Sequence, residues 1–265
     1  SNVSLRTVYF LCLTLSMTST RDPTIQNFRR YEFKYIVDNS RAELIRQDLL
    51  EFLEVDPLLK QSGDKSYTVR SLYFDSPTKE HFFEKIDGLK TRRKYRLRTY
   101  ASKLSETDIF FLEQKGKQNE RTFKHRRSFD ISELDKFLVG GDTTWLLDHQ
   151  LDNKFIEGYI YDTIRRRLQP TVVVEYQRQP YISNHDSYFR VTLDSNLTCF
   201  PANDLFLSSE NHIKILPGYT VIELKFFRRI PLWFHRIIQT RQLSRVSISK
   251  FVADMKASGL AVDLS

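Results

Sequence analysis

Cysteine, glycine and proline are all scarce in this 265-residue sequence, which has two cysteines, eight glycines and eight prolines. The two cysteines, Cys12 and Cys199, cannot form a disulfide framework or a zinc ligand set, so we expect a reducing compartment. No linker rich in proline, glycine or serine divides the chain and no internal repeat is present, so we predict one domain with a sizeable core. Walker loops, dinucleotide-binding fingerprints and nucleophile elbows are also missing.

Long hydrophobic runs are missing as well. The apolar stretch "VYFLCLTL" (residues 8–15) follows Arg6 and is too short to span a bilayer. It is similar to a weak signal-peptide core, and the alternatives are a misassigned start or a strand that packs on a neighbour. We assign residues 1–27 to an N-terminal extension, with Ser1-Asn2 as a tag remnant, and residues 259–265 to a C-terminal tail. We expect no membrane span in this chain.

Positive charge is abundant. The formal net charge is +8 and the isoelectric point is about 9.4. Hydrophobic residues make up 40% of the chain and aromatic residues 13%, so the chain has enough apolar material to fold. This balance favours an anionic partner such as a nucleic acid, a nucleotide, a polyanion or a membrane surface.

The hydrophobic pattern predicts an α+β fold. A helix begins near Asp38, which with Asn39 and Ser40 can cap it, and it extends to about Glu54. Three more helices are predicted over about 150–168, from Pro231 onward, and over "SISKFVADMKA", which ends at Gly259. Strands are indicated at eight segments of alternating or β-branched character, namely residues 30–37, 67–75, 94–100, 109–117, 122–130, 171–181, 189–197 and 220–227.

Charged residues recur at every second position on these strands. In "RLRTY" (residues 96–100) Arg96 and Arg98 share one face of the strand and Leu97 lies on the other. Similar pairs occur on six strands, with apolar residues between them. Each charged face taken alone is explained by exposure to solvent, but the dominance of arginine and lysine on so many strands indicates an enclosed basic site.

Eight antiparallel strands can close into a barrel whose interior holds packed side chains or one ligand. With a basic interior and an apolar exterior covered by helices, the cations would line a tunnel. Unpaired cations in a narrow tunnel repel one another and become favourable only around a polyanion. A linear chain of phosphates fits such a row of arginines and lysines.

At this point the sequence resembles a known family. The segments "RYEFKYIV", "SLYFDSP", "KYRLRTY", "FLEQKGK", "VEYQRQPY", "FRVTLDSNL", "VIELKFF" and "ISKFVADM" resemble, in order, the polyphosphate polymerase domain of the vacuolar transporter chaperone (VTC) family. That family belongs to the triphosphate tunnel metalloenzymes. The resemblance implies a domain over residues 28–258, built as an eight-stranded antiparallel β-barrel with helices packed around the outside.

The resemblance also implies site residues. Glu223 would bind a divalent metal, Mn²⁺ or Mg²⁺. Lys34 would position or deprotonate the attacking phosphate. Lys124 or Arg126 would supply the basic residue of the fifth strand, and the register between them stays open. The residues expected to take part in catalysis are Lys34, Arg96, Arg98, Lys115 and Glu223, and those expected to contact phosphates are Lys34, Arg70, Arg96, Arg98, Lys115, Lys124, Arg126, Arg178, Arg190, Lys225 and Lys250.

One departure bears on the reaction. Hydrolytic branches of the superfamily share a Glu-x-Glu-x-Lys first strand, whereas here Arg30 precedes Glu32 and Lys34. Fewer carboxylates imply one metal and less activation of water, which favours transfer to a phosphate over hydrolysis. The expected activity is therefore transfer of the terminal phosphoryl group of ATP to inorganic polyphosphate. The alternatives are a triphosphate or tripolyphosphate hydrolase and a non-catalytic polyphosphate- or RNA-binding module.

ATP and inorganic polyphosphate are the expected partners. The basic stretch "KTRRKYRLR" (residues 90–98) could form an RNA-binding strip, but its charges recur on many strands with apolar residues between them, so nucleic acid is not expected as the main partner. We expect a cytoplasmic protein, with the membrane surface as a second location and a membrane-associated protein as a further partner.

Overall fold

The computed structural model describes residues 31–57, 59, 63–119, 121–138, 143, 145–148, 154–186, 188–207, 212–247 and 249–261. Its strands are β1 (Tyr31–Asp38), β2 (Glu54–Val55), β3 (Tyr67–Asp75), β4 (Thr91–Thr99), β5 (Ile109–Gln118), β6 (Arg121–Asp130), β7 (Gln169–Ile182), β8 (Arg190–Pro201), β9 (Ile213–Lys214) and β10 (Tyr219–Phe226). Its α-helices are α1 (Asn39–Leu50), α2 (Glu80–Ile86), α3 (Leu134–Leu138), α4 (Trp145–Asp148), α5 (Lys154–Arg166), α6 (Leu232–Thr240) and α7 (Lys250–Ala257).

All eight predicted strands are confirmed, as β1, β3, β4, β5, β6, β7, β8 and β10. The four predicted helices are confirmed as α1, α5, α6 and α7, and the predicted cap of α1 is formed by Asp38, whose side chain accepts from the backbone N–H of Arg41 at 2.8 Å. Residues 1–27, with Cys12 and the apolar stretch at 8–15, lie outside the described residues, as do residues 262–265 of the predicted tail.

Helix α2 was not predicted, because at seven residues it is too short to show a helical period. The buried carboxylate of Asp75, at the end of β3, fixes its start. One oxygen accepts the backbone N–H groups of Ser76 and His81, at 2.8 and 2.9 Å, and the other accepts that of Phe82 at 3.1 Å. The bonds to His81 and Phe82 satisfy N–H groups of the first helical turn, which have no partner within the helix.

Hydrogen bonds order the eight long strands as β1-β10-β8-β7-β3-β4-β5-β6, with β2 beside β7 and β9 beside β8. The pairs β1–β10, β10–β8, β3–β4, β4–β5 and β5–β6 are antiparallel, as predicted. Among the described strands, β1 and β6 are the two ends of this path, so backbone hydrogen bonds do not close the predicted barrel. An alternating sequence indicates which face of a strand is buried, but it does not specify whether the edge of that strand is paired.

The described chain forms two compact units. Unit 1 contains the described residues up to Thr68, together with Tyr176–Asn196 and Leu216–Ser247. Unit 2 contains Val69–Glu175, Leu197–Ile215 and the described residues from 249 onward. The assignment of residues 28–258 to one domain stays a prediction.

Each unit has its own apolar core against which helices pack. In unit 1, Ile45 and Leu49 of α1 and Phe234 of α6 pack with Ile222 and Leu224 of β10. In unit 2 the core joins the inner faces of β3, β4 and β5 to α3 and α5, through residues that include Leu72, Leu97, Leu112, Phe137 and Tyr159. No described helix combines the length and the apolarity that crossing a membrane requires.

Candidate phosphate-binding site

A buried carboxylate surrounded by cations lies on the sheet face of unit 2 that is opposite its apolar core. Glu113 of β5 is 1% exposed, and its Oε2 accepts from Nε and Nη2 of Arg96 at 2.8 and 2.6 Å. Nη1 of Arg98 lies 3.8 Å from the same oxygen. Nζ of Lys124 and Nε of Arg126 lie 2.8 and 3.4 Å from Oε1. We call these five residues the Glu113 cluster.

Strand register explains this convergence. Glu113 pairs directly with Arg96 on β4 and with Arg126 on β6, so the three side chains lie side by side on one face. Leu97, between the two arginines of β4, is fully buried in the apolar core. The predicted arrangement of apolar residues under helices and cations on the opposite face therefore holds in unit 2.

Lys124 and Arg126, between which the sequence leaves the choice open, both belong to the Glu113 cluster. The two residues are two positions apart on β6, share one face, and both contact Oε1 of Glu113. The guanidinium of Arg126 also lies 3.5 Å above the ring of Phe111 and donates to the hydroxyl of Tyr100 at 3.0 Å. The structure thus brings both candidate residues into the same cluster.

The environment of the Glu113 cluster lowers the pKa of two of its members, Glu113 and Lys124. Burial alone would raise the pKa of Glu113, but the surrounding cations, Arg96 first, outweigh it and hold that pKa well below its ordinary value. Burial, assisted by Arg96 and Arg98, lowers the pKa of Lys124 to about 7 despite the neighbouring Glu113. The Lys124 side chain is 46% exposed, but its ammonium end lies 2.8 Å from the buried Glu113 carboxylate and close to Arg96 and Arg98, whose positive charges favour the neutral amine. The charge of Lys124 therefore changes near neutral pH.

The basic face continues along β4 and β5 beyond the Glu113 cluster. Lys115 pairs with Lys94 on one side and with Lys124 on the other, which places three lysines in a row across the strands. Gly116 follows Lys115 and pairs with Phe123, and a Cβ at Gly116 would lie 2.0 Å from the Phe123 ring. Glycine is therefore required here for the aromatic ring to pack across β5.

Helix α7 adds Lys250 to unit 2. Lys250 is buried at the first position of the helix, and the following residue, Phe251, packs against Tyr73 of β3 with ring centroids 5.1 Å apart. Tyr73 pairs with Arg96, and its hydroxyl accepts from Nη1 of Arg96 at 2.7 Å. Helix α7 therefore lies on the same sheet face as the Glu113 cluster.

Unit 1 contains a second group of charges, centred on Glu223 of β10. Nζ of Lys34 lies 3.4 Å from Oε1 of Glu223 and 3.4 Å from Oε1 of Glu32. The other oxygen of Glu223 lies 3.3 Å from Nη2 of Arg178 and 3.5 Å from Nζ of Lys225. With Asp194, which binds Arg178, these residues form the Glu223 cluster.

Lys34 is held as a cation in this cluster. Burial would lower the pKa of Lys34, but Glu223 and then Glu32 outweigh it and raise the pKa above its ordinary value. The ammonium group therefore keeps its proton throughout the neutral range. Of the two roles left open by the sequence, positioning of a phosphate fits this environment and removal of a proton does not.

Arg178 and Arg190 are oriented by carboxylates. Arg178 makes a two-point contact with Asp194, from Nε at 2.6 Å and from Nη2 at 2.7 Å, which fixes its guanidinium plane beside Glu223. Arg190 pairs with Lys225 in the strand register, and its Nη2 lies 3.0 Å from Asp56. The sequence did not indicate these acidic partners, because no local pattern connects them to the arginines.

Arg70, a predicted site residue that belongs to unit 2, does not lie on the basic face of that unit. It shares its face of β3 with Leu72, which belongs to the apolar core. Its Nε and Nη2 donate to the backbone carbonyls of Leu205 and Leu207 at 2.6 and 2.7 Å, and its Nη1 lies 2.6 Å from Glu175. These contacts make Arg70 an anchor for the segment that follows β8.

Two carboxylates of the Glu223 cluster, those of Glu32 and Glu223, are candidate ligands for a divalent cation. No group of three or more histidine, cysteine, aspartate or glutamate side chains with metal-ligand geometry occurs in the described residues. Glu32 and Glu223, however, both place Oε1 at 3.4 Å from Lys34, so the two oxygens can be no farther apart than twice that distance. Magnesium is commonly held by one or two carboxylates together with substrate phosphates, and manganese prefers the same oxygen donors. Glu32 is thus a candidate ligand beside the predicted Glu223.

The chain belongs to the VTC domain family. The profile of this family matches residues 29–258, nearly the whole of the region that the sequence motifs delimit. The predicted family and the α+β tunnel fold that goes with it are confirmed. A search of curated proteins found no match to this sequence.

Solved structures with a similar arrangement are distant in sequence. A protein from Hippeastrum, described as an adenylyl cyclase with a dominant triphosphatase activity, is 10% identical, with a TM-score of 0.49 over 85% of this chain and 96% of that one. A proposed adenylate cyclase from Bacillus halodurans is 15% identical, with a TM-score of 0.48 over 82% and 92%. One from Vibrio parahaemolyticus is 16% identical, with a TM-score of 0.43 over 86% and 97%. At these sequence identities and TM-scores, the three solved structures do not indicate the function of this protein.

Proposed function

We infer that this protein transfers the terminal phosphoryl group of ATP to a growing chain of inorganic polyphosphate, in a reaction that depends on a divalent metal. Membership of the VTC domain family supports this proposal. The observation that carries it is the Glu113 cluster, in which four cations share one buried carboxylate. Such a concentration of cations favours the binding of an anion.

The two clusters differ in net charge. With all groups ionised, Arg96, Arg98, Lys124 and Arg126 against Glu113 give four positive charges and one negative charge, an excess of three. The Glu223 cluster is balanced, because its three cations meet the three carboxylates of Glu32, Asp194 and Glu223. The proposal therefore assigns phosphate binding first to the Glu113 cluster and metal binding to the Glu223 cluster.

Phosphoryl transfer requires mainly positioning and electrostatic stabilisation, because charge spreads over the equatorial oxygens of the transferred group. Arginines suit this task, since their planar guanidinium groups donate two parallel hydrogen bonds to phosphate oxygens. Arg96 is held by Glu113 and by Tyr73, so its plane is set before any ligand binds. A divalent cation bound by Glu32 and Glu223 would neutralise charge on the phosphate oxygens.

A product assay tests this function directly. The protein is incubated with ATP and manganese, and long-chain polyphosphate and free phosphate are measured separately. Polymer supports the proposed transferase, whereas free phosphate without polymer indicates a hydrolase. If neither polymer nor free phosphate forms but tripolyphosphate still binds, the protein is a non-catalytic binding module.

Two neighbouring arginines on β6 provide a matched pair of variants. Arg126 faces Glu113, whereas Arg127 pairs with Leu112 of the apolar core face and lies on the opposite side of the strand. Arg126→Ala should weaken metal-free tripolyphosphate binding by about 10- to 100-fold, the value of one charge-assisted hydrogen bond. Arg127→Ala should bind as tightly as the wild type. Equal affinities of the two variants would contradict the assignment of phosphate binding to this face.

A further inference from the structure

Helix α7 brings two lysines and a carboxylate together on the basic face of unit 2. Lys94, two residues before Arg96 on β4, places its Nζ 3.4 Å from Oγ of Ser249, which precedes the helix. The same Nζ lies 5.0 Å from the ring centroid of Phe251 and 5.4 Å from that of Tyr73. Aromatic faces attract a cation without neutralising its charge.

Asp254 lies one helical turn after Lys250 and is fully buried. Neither of its carboxylate oxygens has a hydrogen-bond partner among the described residues. Its backbone carbonyl is occupied, since it accepts from Oγ of Ser258 at 2.7 Å and from Sγ of Cys199 at 3.6 Å. A buried carboxylate without such partners is costly to ionise.

The charges around Asp254 oppose this cost only in part. Burial raises the pKa of Asp254 well above its ordinary value, and Lys250 and then Lys94 lower it by a smaller amount. The ionised state of Asp254 therefore depends on these two lysines. An anion that binds these lysines offsets their positive charge, so the ionised form of Asp254 becomes less favourable.

Two titratable groups on elements near α7, Cys199 and His81, do not change charge in the neutral range. Burial raises the pKa of Cys199, on β8, to about 12, so its thiol stays protonated. Burial lowers the pKa of His81, on α2, to about 4, so its imidazole stays neutral. Helix α2 packs against α7, and its remaining charged side chains are Glu80, Glu84 and Lys85.

We propose that Asp254 is a positioning residue that, when ionised, attracts Lys94 and Lys250 by its charge, and that it takes up a proton when these lysines bind a phosphate chain. The proton comes from solvent, binds a carboxylate oxygen of Asp254, and returns to solvent when the phosphate chain leaves. This inference rests on the proposed phosphate binding in unit 2. It adds a coupling between that binding and the protonation of a group that does not touch the phosphates.

The coupling has a direct physical cause. Ionised Asp254 and the phosphate chain compete for the same two cations, so each weakens the interaction of the other. Protonation of Asp254 removes one competitor, and a bound polyanion favours that protonation by adding negative charge nearby. By linkage, phosphate affinity must then fall as the pH rises above the pKa of Asp254, by up to tenfold per pH unit for one coupled proton.

Calorimetry with tripolyphosphate, without metal, tests the coupling in the wild type, in Asp254→Asn and in the control Asp135→Asn, whose carboxylate on α3 is exposed. Titrations between pH 6 and 9 in buffers of different ionisation enthalpy give the affinity and the number of protons taken up. Asp254→Asn keeps the shape of a protonated aspartate and should take up about one proton fewer than the wild type and the control. Its affinity should also fall less with rising pH.

The comparison cancels the other proton equilibria. Tripolyphosphate itself and Lys124 titrate in the same range, but they are common to all three proteins. A merely structural role for Asp254 would change the melting temperature without changing the proton count. Equal proton counts and equal pH slopes in a wild type and an Asp254→Asn variant that both bind tripolyphosphate would overturn the inference and leave the proposed function standing.

A second measurement needs no variant. Infrared difference spectra of the wild type at neutral to alkaline pH should show the C=O stretch of a protonated carboxyl group gaining intensity when tripolyphosphate binds. Absence of this band on saturation with tripolyphosphate would overturn the inference even if Asp254→Asn fails to fold. Failure of the wild type to bind tripolyphosphate at any pH would overturn the proposed function together with it.

Discussion

Replacement of Glu113 by glutamine removes the one negative charge that four cations share. Glu113 is 1% exposed, and the two arginines of β4 beside it are also largely buried, with side-chain exposures of 16% for Arg96 and 6% for Arg98. Glutamine has nearly the same shape, so the change alters charge and leaves packing in place. In the variant, the cations lose the charge of Glu113 and repel one another more strongly.

The expected loss of stability follows from that geometry. Removal of one partner from a buried ion pair costs about 3–5 kcal/mol. We expect the lower part of this range, because Lys124 and Arg126 are 46% and 32% exposed and water screens their repulsion. For a domain of this size, 1 kcal/mol corresponds to roughly 2–4 °C, so the melting temperature of Glu113→Gln should fall by about 6–12 °C.

Added phosphate should reverse this loss, because it supplies the missing negative charge. Melting temperatures are measured at low salt with and without tripolyphosphate, for the wild type, Glu113→Gln and Glu157→Gln, whose carboxylate on α5 is exposed. Ligand at about 100 times its Kd adds about 2.7 kcal/mol to either protein, and Glu113→Gln should bind more tightly and gain more. A Glu113→Gln variant that melts with the wild type at low salt would refute the view that the carboxylate holds the cations together.

Three further predictions concern single groups. Glu223→Gln should lose turnover with manganese while metal-free tripolyphosphate affinity stays close to that of the wild type, and retained turnover would contradict Glu223 as a metal ligand. Lys124 loses its charge as the pH rises through about 7, so tripolyphosphate affinity should fall more between pH 6 and 8 in the wild type than in Lys124→Arg, and equal falls would contradict the lowered pKa. The raised pKa of Asp254 means that the folded state binds more protons than the unfolded state above pH 3.8, so the unfolding free energy falls as the pH rises toward the folded pKa. Chemical denaturation should therefore show Asp254→Asn gaining stability over the wild type between pH 5 and 8, and a constant difference would contradict it.

The sequence by itself determined the strands and their faces. The alternation of Arg96, Leu97 and Arg98 is a local property, since neighbouring side chains in any strand lie on opposite faces. The same rule located all eight long strands and separated the apolar core of each unit from its charged face. The four helices of 8 to 13 residues, α1, α5, α6 and α7, were also predicted, whereas α2, with seven residues, was not.

Only the tertiary structure decided which charges meet. Glu113 gathers cations from β4 and β6 because the strand register places them side by side, and the sequence between the strands does not encode that register. Asp254 becomes a buried carboxylate beside Lys94 only because α7 packs on the basic face of β4, far away in sequence. Arg70 resembles the other basic residues of the strands, yet its partners lie 135 and 137 residues further along the chain. Alternation along a strand is set by local geometry, whereas the ion pairs form between segments that only folding brings together.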